Sequence, residues 1–149
     1  MTMEREYLIV DGYNIINNWP DFDEMRTHDL SHAREYLEEI LANYQALSGK
    51  QVILVFDAHH VKGQETVEIK DGLRVIYSRQ GETADNVIEK LVYSLSKGHQ
   101  VTVATSDWLE QRIVLGKDSL RISARELRHL VMDTEKESIR HYQKGQKHN

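Results

Sequence analysis

The sequence predicts an α/β fold built on a doubly wound, mostly parallel central sheet. Three observations carry that expectation. Short runs that are apolar throughout, Tyr7 to Val10, Gln51 to Phe56 and Gln100 to Ala104, read as strands buried on both faces. Between them the apolar residues recur at helical spacing, so strands alternate with helices. The runs also deliver acids: Asp11 closes YLIVD, Asp57 closes VILVFD and Asp107 follows VTVATS. In open α/β sheets ligands bind outside the carboxyl ends of the strands, where strand order reverses, so these carboxylates collect where a site belongs.

After the first strand, residues 15–28 read as a loop, with Asn17, Asn18, the only proline (Pro20) and several acids. From Asp29 a helix begins: Leu30, Ala33, Leu37, Ile40, Leu41, Tyr44 and Leu47 share one stripe, and Gly49 stops it. The second strand runs into a loop holding His59, His60, Lys62 and Gly63. Thr66 to Ile69 then pairs with Leu73 to Ser78 across Asp71-Gly72, a hairpin signal. Thr83 caps a helix with Ala84, Val87, Ile88, Leu91, Val92 and Leu95 on one face and Gly98 at its end. Past the third buried strand, Ser106 is expected to cap a helix running to about Leu115. Ser123 to Glu126 is a capping box, S-x-x-E, opening a last helix that carries Leu127, Leu130, Val131 and Ile139.

The chain has 149 residues, which suits one domain, 1–149, with a real core. Its 40% hydrophobic and 29% charged content are ordinary for a globular protein. The absence of cysteine excludes disulfides and thiolate metal sites and suits a reducing cytoplasm. No segment approaches the ~20 apolar residues of a membrane span, and the first residues do not resemble a signal peptide, so a cytoplasmic protein with no membrane partner is expected. The net charge of −5 counts mildly against a nucleic-acid partner. The charge is uneven, however. Residues 1–120 hold 12 Lys and Arg against 20 Asp and Glu, whereas residues 121–149 hold seven against four. That basic C-terminal helix and tail, about 123–149, could contact phosphates while the acids hold metal. Taken alone, such a run is better read as a solvated terminal helix.

Ionised carboxylates brought together repel one another unless cations hold them. Asp11, Asp57 and Asp107, with Asp85 at a helix start in GETADN, therefore predict a bound divalent metal and phosphodiester chemistry. Oxygen-only ligands suit Mg²⁺ or Mn²⁺. Each acid also has a plainer reading. Asp11 and Asp57 could be turn aspartates, and Asp85, Asp107 and the weaker candidate Glu82 could serve helix dipoles. The coincidence of several favours function. Asn14, three residues after Asp11, could bond a carboxylate, a water or a phosphate, or could cap a helix. Thr105 and Ser106 could offer hydroxyls to the same site, though capping explains Ser106. His59 and His60 are poor ligand candidates, because adjacent side chains rarely aim at one point. Arg34 and Arg112 could reach phosphates. Tyr13, Trp19 and Trp108 could stack on bases, although core packing explains each better.

The phrases VDGYNII (10–16), ILVFDAHH (53–60), ETADNVIEKL (82–91), VATSDW (103–108) and SARELRHLV (123–131) resemble, in this order, the NYN-domain proteins of the YacP type, part of the wider PIN-like nuclease group. The resemblance runs from about residue 7 to residue 131. It implies a PIN-like three-layer α/β/α sandwich with a metal-dependent ribonuclease site. Asp11, Asp57, Asp85 and Asp107 match the active-site acids, with Asn14 from VDGYN. It further implies an endoribonuclease acting on messenger RNA in association with the ribosome. A basic surface around the acids would fall to Arg34, Lys62, Arg112, Arg121 and Arg125. A monomer is favoured over an oligomer.

Two rivals come from other classes. A receiver domain also gathers acids at strand ends, but it wants an adjacent acidic pair after the first strand and a lysine after the last. Asp11-Gly12 and Thr105-Ser106-Asp107 supply neither. A non-catalytic RNA- or ribosome-binding module on a PIN-like scaffold is the closer alternative, but a silenced scaffold would lose one or more acids, and all four are present.

Overall fold

The computed structural model describes residues 5–58, 66–106 and 119–147. Six strands form one sheet: β1 (Glu6–Asp11), β2 (Gln51–Phe56), β3 (Thr66–Lys70), β4 (Leu73–Tyr77), β5 (Gln100–Ala104) and β6 (Ser119–Ile122). Their order is β3-β4-β2-β1-β5-β6, with every pairing parallel except the β3–β4 hairpin. The fold is thus the expected α/β/α sandwich on a mostly parallel sheet. Strand order reverses between β1 and β5, which makes that gap the switch point.

Alternation along the strands sorts the core into two layers. Leu8, Val10, Leu54, Phe56, Val75 and Ala104 face α1 (Gly12–Asn18), α3 (Leu30–Ser48) and α5 (Ala124–Lys147). Ile9, Ile53, Val55, Ile76, Val101 and Val103 face α4 (Ala84–Leu95). The punctuation read from sequence holds where it is local. Asp29 accepts the His32 N–H at the start of α3, and Gly49 ends that helix at φ 75°. The hairpin turns through Asp71 at φ 52° and Gly72 at φ 82°, the paired left-handed residues of a tight hairpin turn. Lys70 on the hairpin reaches the buried carboxylate of Glu38 on α3, with Nζ 3.2 Å from Oε2, and that hydrogen-bonded partner raises the Lys70 pKa.

One expectation fails, and one strand carries no signal in the sequence. Residues 15–28 are not a loop. They lie in α1, a 3₁₀ turn at Pro20–Phe22, and α2 (Met25–His28). Local composition favours irregular chain there, but Ile15, Ile16, Trp19 and Phe22 are all buried, and tertiary packing holds helices too short to stand alone. The edge strand β6 carries no strand signal in the sequence, because the four-residue SLRI holds an arginine and leaves Leu120 exposed. The helix expected from Ser106 to Leu115 lies outside the described residues.

The capping box is present in both directions. Glu126 N–H donates to Ser123 Oγ at 3.0 Å, and Ser123 N–H donates to Glu126 Oε1 at 3.1 Å. These bonds from Ser123 lower the Glu126 pKa. A depressed carboxylate pKa stabilises the fold above its unfolded value, and the contribution disappears as pH falls through the folded value. Urea unfolding should therefore find Glu126→Gln less stable than wild type at pH 7, with the gap closing once pH drops below the usual carboxylate range. A gap independent of pH would contradict this ionic role for the box.

Candidate active site

The register shows how the strand-end residues meet. Asp11 pairs with Val55, and Val10 pairs with Ala104, so Asp11 stands level with Thr105 and one step of the pleat below Asp57. Asp11, Thr105 and Asp57 share the odd positions of their strands, and those positions point to the α4 layer. Asp11 is only 6% exposed, at the switch point itself, and Thr105 Oγ1 donates to its Oδ2 at 3.2 Å. A carboxylate so far from water is costly unless paired, hydrogen-bonded or metal-bound.

Asp57 follows β2 and is half-buried. Its segment is fastened by Ser78 beyond β4: the Ser78 N–H donates to the Phe56 carbonyl at 3.0 Å, and the Ala58 N–H donates to Ser78 Oγ at 3.1 Å. Sequence reading missed Ser78. Its only signal is a polar residue closing the strand run LRVIY. Asp85 lies in the first turn of α4, the next element after β4, reached through residues 78–83 from the carboxyl edge. Thr83 caps that turn by accepting the Asn86 N–H at 3.2 Å. Glu82 serves the structure there, pairing with Lys90 at 2.7 Å and accepting the Arg79 N–H.

Asn14 extends from α1 to the far side of the switch point, where its Oδ1 accepts the Ser106 N–H at 2.7 Å. The Ser106 hydroxyl in turn accepts the Ala124 N–H at 2.8 Å. Asn14 thus holds Ser106 beside the switch point. The described part of the site therefore gathers Asp11, Asp57, Asn14 and Thr105 at one edge, with Asp85 at the neighbouring helix start. Asp107, His59 and His60 lie outside the described residues. Among the described residues, no three histidine or acidic side chains form a metal-holding group.

Three of the five expected basic residues border the same edge. Arg34 donates to Tyr13 Oη at 3.2 Å, and the Tyr13 ring packs on Phe56 with centroids 5.0 Å apart. Arg121 Nη1 donates to the Thr105 carbonyl at 3.2 Å. Arg125 lines a cavity with Ser106. Lys62, Arg112 and Trp108 lie outside the described residues. Trp19 is core: it is buried, and its Nε1–H donates to the Ala124 carbonyl at 2.8 Å.

A mostly parallel α/β sandwich with acids at its switch point agrees with the resemblance carried by the sequence phrases. The chain belongs to the YacP-like NYN domain family, whose family model matches residues 8–149. It is 41% identical over 140 residues to the YacP protein of Bacillus subtilis (strain 168), an alignment covering 93% of this chain and 82% of that protein. Its structure is similar to the crystal structure of Rae1 (YacP) from Bacillus subtilis, with a TM-score of 0.77, 41% identity, and coverage of 95% of this chain and 81% of that one. A point mutant of Rae1 matches with a TM-score of 0.80 at 39% identity, covering 93% and 81%. The family is of the nuclease type. Among the described residues, no helix is long and apolar enough to cross a membrane.

Proposed function

We propose that this protein is a metal-dependent endoribonuclease that hydrolyses RNA phosphodiester bonds, acting on messenger RNA in association with the ribosome. The observation that carries the reading is the nearly buried Asp11 carboxylate at the switch point of a YacP-like NYN domain, with the Thr105 hydroxyl donated to it.

The donor chemistry fits Mg²⁺ or Mn²⁺. Every candidate ligand offers oxygen, and Mg²⁺ is commonly held through one or two carboxylates plus substrate phosphates while it keeps several waters. Asp11 and Asp57 would supply the carboxylates, joined by Asp85 from α4 and by Asp107. Such an ion, when bound, activates water for attack and neutralises charge on the scissile phosphate. The chain's own residues do the rest. Thr105 fixes the orientation of Asp11, and Ser78 holds the turn that presents Asp57. Asn14 holds Ser106 beside the switch point. Arg34 and Arg121 would take flanking phosphates of the strand, and Lys62, Arg112 and Arg125 would extend that basic rim.

The test is cleavage of a labelled messenger RNA with Mg²⁺ or Mn²⁺, with and without ribosomes, and with EDTA as control. The expected result is metal-dependent internal cleavage that ribosomes enhance. Folded protein that binds RNA and leaves it intact under every condition would instead establish the non-catalytic binding module.

A further inference from the structure

Beside the candidate site lies a cavity of about 400 Å³, of which the proposed mechanism uses only Arg125 at the basic rim. Asn18 at the end of α1 and Pro20 of the following 3₁₀ turn form one wall, the first two turns of α5 form the other with Arg125, Arg128 and His129, and Ser106 completes the lining. Ser106 is the residue that Asn14 holds, and it follows Thr105, whose hydroxyl donates to Asp11, so the cavity reaches the same carboxyl edge of the sheet from its α1 and α5 side. Its charge comes from side chains, since the Ala124 and Glu126 N–H groups of α5 are already bonded to Ser106 and Ser123. Arg128 is set in place by Asp21, whose Oδ1 accepts from Nε at 2.7 Å. Arg125 and His129 are exposed, and among the described residues their side chains make no hydrogen bond or ion pair. An anchored guanidinium beside two unengaged nitrogen donors, in a recess of this size, suits one phosphate and the sugar that carries it.

We propose that this cavity seats a nucleotide of the RNA strand next to the one being cleaved, with Arg125 and His129 contacting its phosphate and Arg128 fixed behind them. The inference rests on the ribonuclease reading for the identity of the strand. It adds the side of the site along which that strand runs, towards α5.

The test is binding of a fluorescent single-stranded RNA, read by anisotropy across a salt series in EDTA, so that affinity is measured without cleavage. The double variant Arg125→Ala/His129→Ala is compared with Arg140→Ala/His141→Ala, which removes the same residue types from an exposed stretch of the same helix. All four positions are solvent-facing, so both proteins should fold, and circular dichroism checks this. The cavity variant should bind about 5-fold more weakly or worse near 0.1 M salt, with the salt slope reduced by about 0.7–1, while the control variant stays near wild type. Equal affinity and slope for wild type and the cavity variant would overturn the proposal, as would equal loss in both variants. Failure of the nuclease reading is distinguishable: wild type would then bind RNA and not cut it with metal present, while the contrast between the two variants would persist.

Discussion

Asp11→Asn should lower RNA cleavage by about 100-fold or more while leaving the protein folded. The substitution keeps the shape of the side chain and leaves an amide oxygen able to accept from Thr105, so the hydroxyl donated to Oδ2 retains a partner. It removes a charge that the fold hides almost completely, the one so buried at the switch point among the described residues. A purely structural carboxylate at this depth would behave differently, because loss of its charge would change stability and leave cleavage in proportion to the folded fraction. Cleavage rate and melting temperature measured on one preparation separate the two cases. Near-normal cleavage by a folded Asp11→Asn protein would remove Asp11 from the mechanism.

Gly12→Ala should destabilise the protein by about 1–3 kcal/mol, lowering its melting temperature by about 3–10 °C. In the sequence, Asp11 before Gly12 could be a turn aspartate. Gly12 instead opens α1 with ordinary helical backbone, and the constraint on it is space. A Cβ there would come within 2.5 Å of Phe56 Cδ1. Phe56 is fully buried, and its ring stacks on Tyr77 with centroids 5.6 Å apart, so it has nowhere to go. Because Phe56 precedes Asp57, the displacement passes straight into the candidate site, and cleavage should fall by more than the loss of folded protein explains. A melting temperature within about 1 °C of wild type would show that the ring yields freely.

How much of this molecule was legible in its sequence depended on whether the signal was local. The hairpin was legible because Asp71-Gly72 states its own backbone requirement. The capping box was legible because Ser123 and Glu126 satisfy each other without outside help. The strands β1, β2 and β5 were legible because central parallel strands are apolar on both faces. The helices within residues 15–28 were hidden because their stability comes from Ile15, Ile16, Trp19 and Phe22 meeting α3 and α5, contacts that no short window contains. In the candidate site, Asp11 and Asp57 announced themselves as acids ending buried runs, and Thr105 as a hydroxyl beside them. Ser78 and the cavity wall of Arg128 and His129 did not, because they join the site through tertiary contacts rather than through any spacing in the chain. Asn14 was visible as a residue, but its bond to Ser106 spans 92 positions and belongs to the fold alone.

The central claim is internal, metal-dependent cleavage of RNA, and a circular single-stranded RNA tests it most directly because it has no end for an exonuclease to use. Incubated with the folded protein and Mg²⁺ or Mn²⁺, the circle should open to a linear product, and EDTA should prevent this. A circle that stays closed with metal and ribosomes present, while wild-type protein binds it, would contradict the account.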